Sequence, residues 1–430
     1  MKILLIGNGG RENALAWKIF NSVSFQETKS RLYNTVGSPG INEFACPVDI
    51  NPSDTEKLID FVKKEGIDFT VVGPELPLSA GIVNEFGKKG LKIFGPSKEA
   101  AEIESSKIFS KKLMSDNNVP TARYKDFSGK NINEAKEFLR SCKYPIVIKA
   151  DGLAAGKGVI IADNIEEAIE TIELVSLKNL FGEAGNSFMI EEFLEGEEVS
   201  VFVITDGRDY RILPFSQDHK KIYDGDKGKN TGGMGAVAPL KKFMKEETTA
   251  KIKTRIIEPV LKALTDSGRE FKGCLYCGLM MVKDEPLVIE FNCRFGDPET
   301  QAVLPLIKSD FLQLLLASAG NGIGNYNLEI NDSFACCVVM ASEGYPDDYE
   351  KEKEITEFEN DNKNENSIVF HSGTKFTGDG KVVSSGGRVL SVVGISDVSM
   401  EEAVKNSYER ISGIEFVNKY FRRDIGRKNY

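Results

Sequence analysis

The first hundred residues alternate apolar runs, glycine turns and helical patterns. KILLI at residues 2–6 breaks at the turn GNGG, and RENALAWKIF at 11–20 then carries its apolar residues at helical spacing. FTVVGPE and LKIFGPS repeat the apolar run and break, with helical stretches at 54–65 and 79–89 between the runs. This alternation is typical of a parallel sheet with crossover helices. Residues 1–100 are predicted to form an open parallel α/β domain that binds ligand at the carboxyl ends of its strands.

The pattern changes after this domain. Ser97 is a candidate N-cap for one helix that continues to residue 117, before a break at Pro120. YPIVIKADG, GVIIAD, SFMIEEFL and EVSVFVITDGRDYRILPF are then predicted strands, and a long helix is expected near 245–266. The last hundred residues are mostly predicted strands, with a helix near 399–411. We therefore predict a fold of the α/β and α+β classes.

We divide the chain into three predicted regions. The N-terminal open parallel α/β domain covers residues 1–100, and a central α+β region covers 101–325. Within the central region, residues 123–193 are predicted to form a separate subdomain. A small, mostly-β C-terminal domain covers 326–430.

Charge and cysteine content exclude several classes of protein. With 65 acidic and 55 basic residues, the net charge of −10 argues against a nucleic-acid partner. No signal-peptide core and no run of about 18 apolar residues occurs, so we expect no membrane partner and a cytoplasmic location. Seven scattered cysteines are typical of reduced thiols. The one CxxC motif, Cys274 to Cys277, is interpreted as part of a buried strand rather than a metal site.

The glycine turn near the N-terminus is a candidate phosphate site. A helix N-terminus offers free amides and a positive dipole end to an anion. The dinucleotide motif is incomplete, because Glu12 stands at its third glycine position and no acidic residue closes the next strand. We therefore favour a phosphate or phosphosugar over a dinucleotide, with a purely structural turn as the alternative.

Lys149 closes the predicted strand PIVIK immediately before a glycine-rich segment. Gly152 and Gly156 enclose three residues and Lys157 precedes Gly158, so the segment lacks the spacing of a P-loop. A glycine hairpin can still fold over a polyphosphate and offer its amides without steric cost. The alternative is a surface loop with a solvated lysine.

The segment MIEEFLEGEEVSV at residues 189–201 has the pattern of two strands joined by a short connection. Such a connection can present backbone groups to an adenine edge, and a carboxylate such as Glu198 can accept from ribose hydroxyls. Alone this signal is weak, because acidic hairpins are common, and a solvated hairpin is the alternative.

VIEFNCRFGDPET at residues 288–300 concentrates polar groups at one strand end. On an extended strand Glu290, Asn292 and Arg294 share one face. Magnesium prefers a few oxygen ligands together with substrate phosphates, and Glu290 and Asn292 supply two. Arg294 offers a planar fork for a carboxylate or phosphate. The alternative is an internal salt bridge from Arg294 to Asp297 or Glu299.

Nine motifs, in order over nearly the whole chain, carry a family resemblance: GNGGRE, VGPE, FGPS, SK at 106–107, PIVIKADGLAAGKGV, IEEFLEGEE, SQDHK, DGDKGKNTGGMGA and VIEFNCRFGDPETQ. They resemble the phosphoribosylamine-glycine ligases, an ATP-grasp family of purine synthesis. The resemblance also implies that the later strand SSGGRVL lies near the active site. The alternatives are another ATP-grasp ligase or carboxylase, which would share the lysines and the metal pair, and a dinucleotide-dependent oxidoreductase, which would rest on GNGG alone.

The resemblance implies that ATP joins glycine to 5-phosphoribosylamine through a glycyl phosphate, with Mg²⁺ or Mn²⁺, and that residues 123–193 are the mobile subdomain of a central ATP-grasp region. A monomer is expected, because no long exposed apolar stripe stands out. The implied catalytic residues are Arg294, Asp218 and Lys149, and the implied metal ligands are Glu290 and Asn292. The implied ATP contacts are Lys107, Lys149, Glu191, Glu192, Phe193, Leu194 and Glu198. The implied substrate contacts are Gly9, Gly10, Arg11, Glu12, Asn13, Gly73, Pro74, Glu75, Asp218, Thr231, Gly232, Gly233, Met234, Gly235, Arg294, Gly387 and Arg388.

Three positions depart from the family pattern. Asn13 stands where the family usually has histidine, Lys229 stands where it usually has proline, and residues 37–40 follow its Pro-Gly-Asn turn only loosely. None of these is an expected metal ligand or phosphate lysine. Asn13 bears on the phosphosugar pocket, and Lys229 bears on how the loop at 224–235 closes.

Overall fold

The computed structural model describes residues 1–152, 158–176, 187–357 and 366–427. The centre of the predicted glycine hairpin, which includes Lys157, lies outside the described residues. No helix in the described ranges is long and apolar enough to span a membrane.

A five-stranded parallel sheet forms the N-terminal part, in the order β3–β2–β1–β4–β5. β1, β4 and β5 come from the apolar runs of the sequence, and all five strands are parallel, so the predicted open parallel α/β domain is confirmed. The strand order reverses between β1 and β4, and a ligand crevice is expected where such neighbours diverge. The elements are β1 Lys2–Ile6, α1 Gly10–Phe20, α2 Val23–Glu27, β2 Arg31–Thr35, β3 Cys46–Val48, α3 Thr55–Glu65, β4 Phe69–Val72, α4 Glu75–Ala80, α5 Ile82–Lys88 and β5 Ile93–Phe94.

Two helices follow where the sequence predicted one. They are α6 Lys98–Ser105 and α7 Lys107–Asp116, and Ser97 caps the first as predicted. The single helix to residue 117 is wrong, because Ser106 adopts an extended conformation and its Oγ accepts a hydrogen bond from the Phe109 amide as the N-cap of α7. The break lets α7 begin in a new direction at Lys107.

A four-stranded antiparallel sheet, which we call the small sheet, follows in the order β6–β9–β7–β8. Two helices pack on it and form a core of their own with its apolar side chains. Its elements are β6 Tyr124–Ser128, α8 Ile132–Leu139, β7 Ile146–Ala150, β8 Val159–Ala162, α9 Ile165–Ser176 and β9 Ser187–Glu192.

A second antiparallel sheet, which we call the large sheet, has the order β11–β10–β16–β17. The predicted helix at 245–266 is two helices joined by a π-helical segment at 253–257, and Pro259 is the second residue of the helix that follows. Ile289 is an extra residue in β17, because Gly278 pairs with Glu290 and Leu279 pairs with Val288. The elements of this stretch are β10 Glu197–Thr205, β11 Tyr210–Ile212, β12 Gln217–Asp218, β13 Lys221–Tyr223, β14 Lys227–Asn230, β15 Gly235–Ala238, α10 Glu246–Ile252, α11 Glu258–Asp266, β16 Gly273–Val282 and β17 Glu285–Asn292.

A six-stranded sheet joins strands from two distant parts of the chain, in the order β12–β15–β18–β23–β20 with β25 also on β18, and β13–β14, β19–β24 and β21–β22 form two-stranded sheets. Cys274 and Cys277 lie buried and unbridged in β16, so their interpretation as part of a buried strand is confirmed. The final elements are α12 Glu299–Val303, α13 Phe311–Ala319, β18 Phe334–Ser342, β19 Thr356–Glu357, β20 Ser367–His371, β21 Thr374–Phe376, β22 Val382–Ser384, β23 Arg388–Ser396, α14 Met400–Ile411, β24 Ile414–Glu415 and β25 Lys419–Tyr420.

Gly394 sets the packing distance between α14 and β23. A Cβ at this position would lie 2.2 Å from the Ala403 carbonyl oxygen and 2.4 Å from the Ser407 amide nitrogen. Gly394→Ala is expected to lower the free energy of unfolding by about 3 kcal/mol, because backbone atoms of the helix must move. Urea denaturation measures this, with Gly378→Ala as the control, since no atom lies within 4 Å of a Cβ there. Equal stability of the two variants would contradict the close approach.

Candidate active site

Lys149 and Glu191 form a buried ion pair on the small sheet. Glu191 lies opposite Val147 in register, so Lys149, two residues along β7, shares its face. Lys149 Nζ lies 2.9 Å from Glu191 Oε2 and donates to the Ile289 carbonyl oxygen at 3.1 Å. That carbonyl belongs to the bulge residue of β17. The lysine therefore connects the small sheet with the large sheet.

Lys107 reaches the same end of the small sheet from the start of α7. Its Nζ donates to the Gly152 carbonyl oxygen at 2.8 Å. The Ser106 hydroxyl donates to Asp151 at 3.1 Å, which ties the break before α7 to the residue after β7. Lys107 and Lys149, the two phosphate lysines that the resemblance implies, thus lie at the same end of the small sheet.

Glu290 is surrounded by positive charge. Burial alone would raise the pKa of its carboxyl, but Lys220, Lys149, Lys107 and Arg294 outweigh burial, and the pKa lies below its usual value. Among the described residues, no hydrogen bond or ion pair reaches its carboxylate oxygens. The side chain is therefore a charged oxygen ligand without a partner.

The donor set at this strand end fits a phosphate-bridged divalent metal. Asn292 Oδ1 accepts from Arg294 Nη2 at 3.2 Å, which agrees with a shared face. The described residues contain no group of three or more His, Cys, Asp or Glu side chains that could hold a metal alone. Magnesium needs only one or two carboxylates when substrate phosphates complete its shell. Glu290 and Asn292 supply that kind of partial shell.

Lys220 lies between two carboxylates. Its Nζ is 2.6 Å from Glu198 Oε2, so the residue predicted to bind ribose is already paired. Burial opposes the charge of Lys220, but Asp218 and Glu198 raise its pKa. Burial raises the pKa of Asp218, Lys220 opposes this shift, and Glu299 adds to it. Asp218 is thus a half-buried acid in a mixed cluster beside the lysine site.

Glu12 fills the crevice at the carboxyl ends of β1 and β4. Its Oε2 accepts from the Gly9 amide at 2.7 Å, and its Oε1 accepts from Arg11 Nε at 2.6 Å. A Cβ on Gly73 would lie 2.2 Å from Glu12 Oε1. The carboxylate of Glu12 therefore takes one of the amides at the start of α1 that a phosphate could use.

Asn13 and Gly10 contact the C-terminal part of the chain. Asn13 Oδ1 accepts from the His371 amide at 2.7 Å, and the residue is buried. A Cβ on Gly10 would lie 2.2 Å from Ser372 Oγ. At the mouth of the crevice, Pro74 is the N-cap of α4 and Glu75 its first residue.

Arg294 lies against the N-terminal domain. Its Nη2 is 3.2 Å from Glu104 Oε1, and its Nε is 3.5 Å from Glu75 Oε2. Burial opposes the charge, but Glu104 and Glu75 outweigh it and raise the pKa of Arg294. Among the described residues, Arg294 forms its ion pairs with Glu104 and Glu75 rather than with Asp297 or Glu299, the two partners of the alternative, and Asp297 pairs with Arg388 at 3.3 Å.

The loop at 231–235 packs against Arg388. The Nη1 of Arg388 donates to the Gly232 carbonyl oxygen at 2.6 Å and to the Asp297 carbonyl oxygen at 2.8 Å. The Thr231 hydroxyl donates to the Lys220 carbonyl oxygen at 2.8 Å. Of the other predicted residues, Gly233 lies against Asp297 and Pro298, and Gly387 directly precedes Arg388. Met234 is buried, and Gly235 begins β15 opposite Val338.

The connection after β9 carries the predicted adenine contacts. Phe193 is exposed and Leu194 is half-buried, as a ligand-facing connection allows. The Glu192 carboxylate bonds Arg123, with 2.8 Å to Nε, so its side chain is turned to the outer edge. The Glu191 side chain faces the two lysines Lys149 and Lys111.

Three residues at the site were missed by the sequence reasoning. Lys111 pairs with Glu191 at 3.3 Å, Lys220 pairs with Glu198, and Glu104 holds Arg294. Lys220 lies in the motif SQDHK beside Asp218, which is a signal that could have identified it. Lys111 and Glu104 lie on helical faces that look like ordinary amphipathic surface in the sequence.

Family models match almost the whole chain. The model for the N domain of phosphoribosylglycinamide synthetase matches residues 1–104, its ATP-grasp (A) domain matches 105–300, and its C domain matches 335–428. The phosphoribosylamine–glycine ligase of Caldanaerobacter subterraneus is 45% identical over 99% of both chains. That of Chlorobaculum tepidum is 45% identical over 100% of both.

Solved structures also share the fold of this chain. The crystal structure of phosphoribosylamine–glycine ligase from Thermotoga maritima has a TM-score of 0.84 and 33% identity, and the match covers 99% of this chain and 100% of that one. The biotin carboxylase domain of Hydrogenobacter thermophilus 2-oxoglutarate carboxylase, solved with magnesium ADP and bicarbonate, has a TM-score of 0.73 at 16% identity over 98% and 91% of the chains. That second likeness shows the ATP-grasp fold alone. The predicted ATP-dependent ligase of purine biosynthesis is confirmed, and the chain belongs to the phosphoribosylglycinamide synthetase family.

Proposed function

We propose that this chain joins glycine to 5-phosphoribosylamine at the expense of ATP, giving glycinamide ribonucleotide, ADP and phosphate through a glycyl phosphate. Full-length relatives that carry the name of this ligase support the reaction. The observation that carries the mechanism is that the positive charges of Lys220, Lys149 and Lys107 lower the pKa of Glu290, whose carboxylate has no hydrogen-bond or ion-pair partner among the described residues. Three ammonium groups beside one free carboxylate match a polyphosphate with a divalent metal.

The chemistry requires a better leaving group than oxide. A glycine carboxylate oxygen attacks the γ-phosphorus, and the bond to the ADP oxygen breaks. The sugar amine then attacks the glycyl carbonyl carbon, phosphate leaves, and the amine loses a proton. Lys107 and Lys149 hold the ATP phosphates, and Arg294 neutralises the glycine carboxylate or the moving phosphoryl group.

The remaining contacts complete the pocket. Residues 191–194 read adenine and Glu198 binds ribose, while Asp218 and the loop at 231–235 surround glycine and the amine. Glu290 and Asn292 hold the metal, for which we propose magnesium, and a bound metal ion neutralises charge on the polyphosphate. The phosphosugar lies at residues 9–13 and 73–75, beside Arg388 and Gly387. Loop closure excludes water that would hydrolyse the acyl phosphate.

The test of the reaction is ADP release with magnesium ATP, omitting glycine and then phosphoribosylamine, which is generated in place from ribose 5-phosphate. We expect ADP only when both are present, and none when alanine replaces glycine. ADP release with neither substrate, or with a different carboxylate, would be consistent with an ATP-grasp enzyme but would contradict the proposed substrates.

Arg294→Ala is expected to lower kcat/KM for glycine by about a hundredfold or more, because a charge-assisted bidentate contact is lost. Binding of magnesium ADP, measured by calorimetry, should stay within about threefold of the parent, because the phosphate lysines remain. Arg140→Ala is the control, since that arginine is exposed at the end of α8. Intact turnover in Arg294→Ala would exclude the proposed role.

We also propose a monomer. The exposed large apolar side chains include Val23, Leu76 and Val398, which lie far apart in the sequence, and the net charge of −10 opposes self-association. Light scattering coupled to size exclusion should give the chain mass of 47.5 kDa. Twice that mass at micromolar concentration would contradict the proposal. The cytoplasmic location predicted from the sequence stays a prediction.

A further inference from the structure

Two lysines share one oxygen of Glu191. Lys149 Nζ lies 2.9 Å and Lys111 Nζ lies 3.3 Å from Glu191 Oε2. All three side chains are nearly inaccessible, with Lys111 2% and Lys149 4% exposed. Glu191 Oε1 is buried and has no hydrogen-bond partner among the described residues. The cluster of two lysines and one glutamate has a net charge of +1.

Lys111 is fixed from a second side. Its Nζ donates to Thr121 Oγ1 at 2.6 Å, and Thr121 Oγ1 donates to the Val288 carbonyl oxygen at 2.6 Å. The next carbonyl of β17, that of Ile289, accepts from Lys149. A closed set of contacts thus connects α7, β9, β7 and β17. Lys111 is therefore held in place at the junction of the small and large sheets.

We propose that Lys111 is a positioning residue for the nucleotide: by sharing the negative charge of Glu191, it leaves the Lys149 ammonium group available to the ATP phosphates. Without Lys111, Glu191 pairs with Lys149 alone, and the net charge of this cluster falls from +1 to zero. A buried ion pair with no net charge attracts an approaching polyphosphate only weakly. The inference rests on the proposed function only in placing nucleotide phosphates at Lys149.

The protonation of Lys111 agrees with this role. Burial lowers the pKa of Lys111 to about 8, Glu191 opposes the shift, and Lys149 adds to it. The group is thus largely charged at pH 7. Its charge is sustained by Glu191, which is the contact that the inference uses.

The test measures binding of magnesium ADP and of adenosine to the full chain by calorimetry. Lys111→Met is expected to bind magnesium ADP about tenfold more weakly, with adenosine affinity unchanged within about threefold, because adenosine has no phosphate. Adding Glu191→Gln to Lys111→Met should restore magnesium ADP affinity to within about threefold, since it returns the net charge of this cluster to +1 and leaves the backbone groups proposed to contact adenine unchanged. Lys111→Arg should bind like the parent, and Lys112→Met, on the exposed face of α7, is the control.

Each outcome decides the inference. Unchanged magnesium ADP binding in Lys111→Met, equal weakening of adenosine, or a double variant as weak as the single one would overturn it. If Lys111→Met does not fold, Lys111→Gln, which keeps a donor for Thr121, carries the same expectation. A parent chain that binds magnesium ADP but releases no ADP with glycine and phosphoribosylamine would overturn the proposed reaction and leave this inference standing.

Discussion

Lys149→Met is expected to lower kcat/KM for ATP by about a thousandfold, equivalent to roughly 4 kcal/mol of transition-state stabilisation. The ammonium group lies beside Glu191 and the Ile289 carbonyl oxygen in a buried setting. A polyphosphate that meets methionine there loses a charge-assisted contact that water cannot replace. Steady-state kinetics with varied ATP measures the loss.

The fold should survive this change. Glu191 keeps its ion pair with Lys111 at 3.3 Å, so no buried carboxylate is left without a partner. Lys143→Met is the matched control, because Lys143 is exposed a few residues before β7. A parent-like kcat/KM for Lys149→Met would show that the phosphates bind elsewhere.

Glu290→Gln should reduce turnover by about a thousandfold at low magnesium, with partial recovery at high magnesium. The substitution keeps the shape of the side chain and removes the only charged oxygen ligand proposed for the metal. Binding of Mn²⁺ in the presence of ADP, followed by electron paramagnetic resonance, gives a readout without turnover.

Glu285→Gln is the matched control for the metal prediction. Glu285 begins the same strand, but it pairs with Lys251 and Arg255 at the opposite end. If Glu290→Gln kept the magnesium dependence of the parent, the metal would have to be held by other groups.

Much of the fold could be predicted because the spacing of apolar residues along the chain is typical of particular strands and helices. The apolar runs before Gly7 and Gly73 predicted the parallel sheet, and Ser97 predicted the start of α6. The break at Ser106 could not be predicted, because it depends on Asp151, which lies 45 residues later in the chain. The pairing of β15 with β18 is likewise a long-range contact without a local signal.

The candidate site was predictable where the sequence clusters its polar residues. Glu290, Asn292 and Arg294 share a face because successive side chains of a strand point to opposite sides of the sheet. The β-bulge at Ile289 could not be predicted from the sequence. Lys111 could not be predicted, since its partner Glu191 is distant in sequence. The sequence shows that Glu12 stands at the third glycine position of the dinucleotide motif. Only the structure shows that its carboxylate accepts a hydrogen bond from the Gly9 amide.

The sheet that contains β15 and β18 has a consequence for synthesis on the ribosome. β15 is completely buried between β12 and β18, and β18 begins about 100 residues after β15. At about 5–20 residues per second, the edge of β15 waits roughly 5–20 s for its partner. During that time the unpaired backbone N–H and C=O groups at this edge of β15 can form hydrogen bonds with any other extended strand. The loop that carries Thr231 therefore reaches its final position only after β18 has been translated. Slow translation of the segment between β15 and β18 should make the nascent chain prone to aggregation.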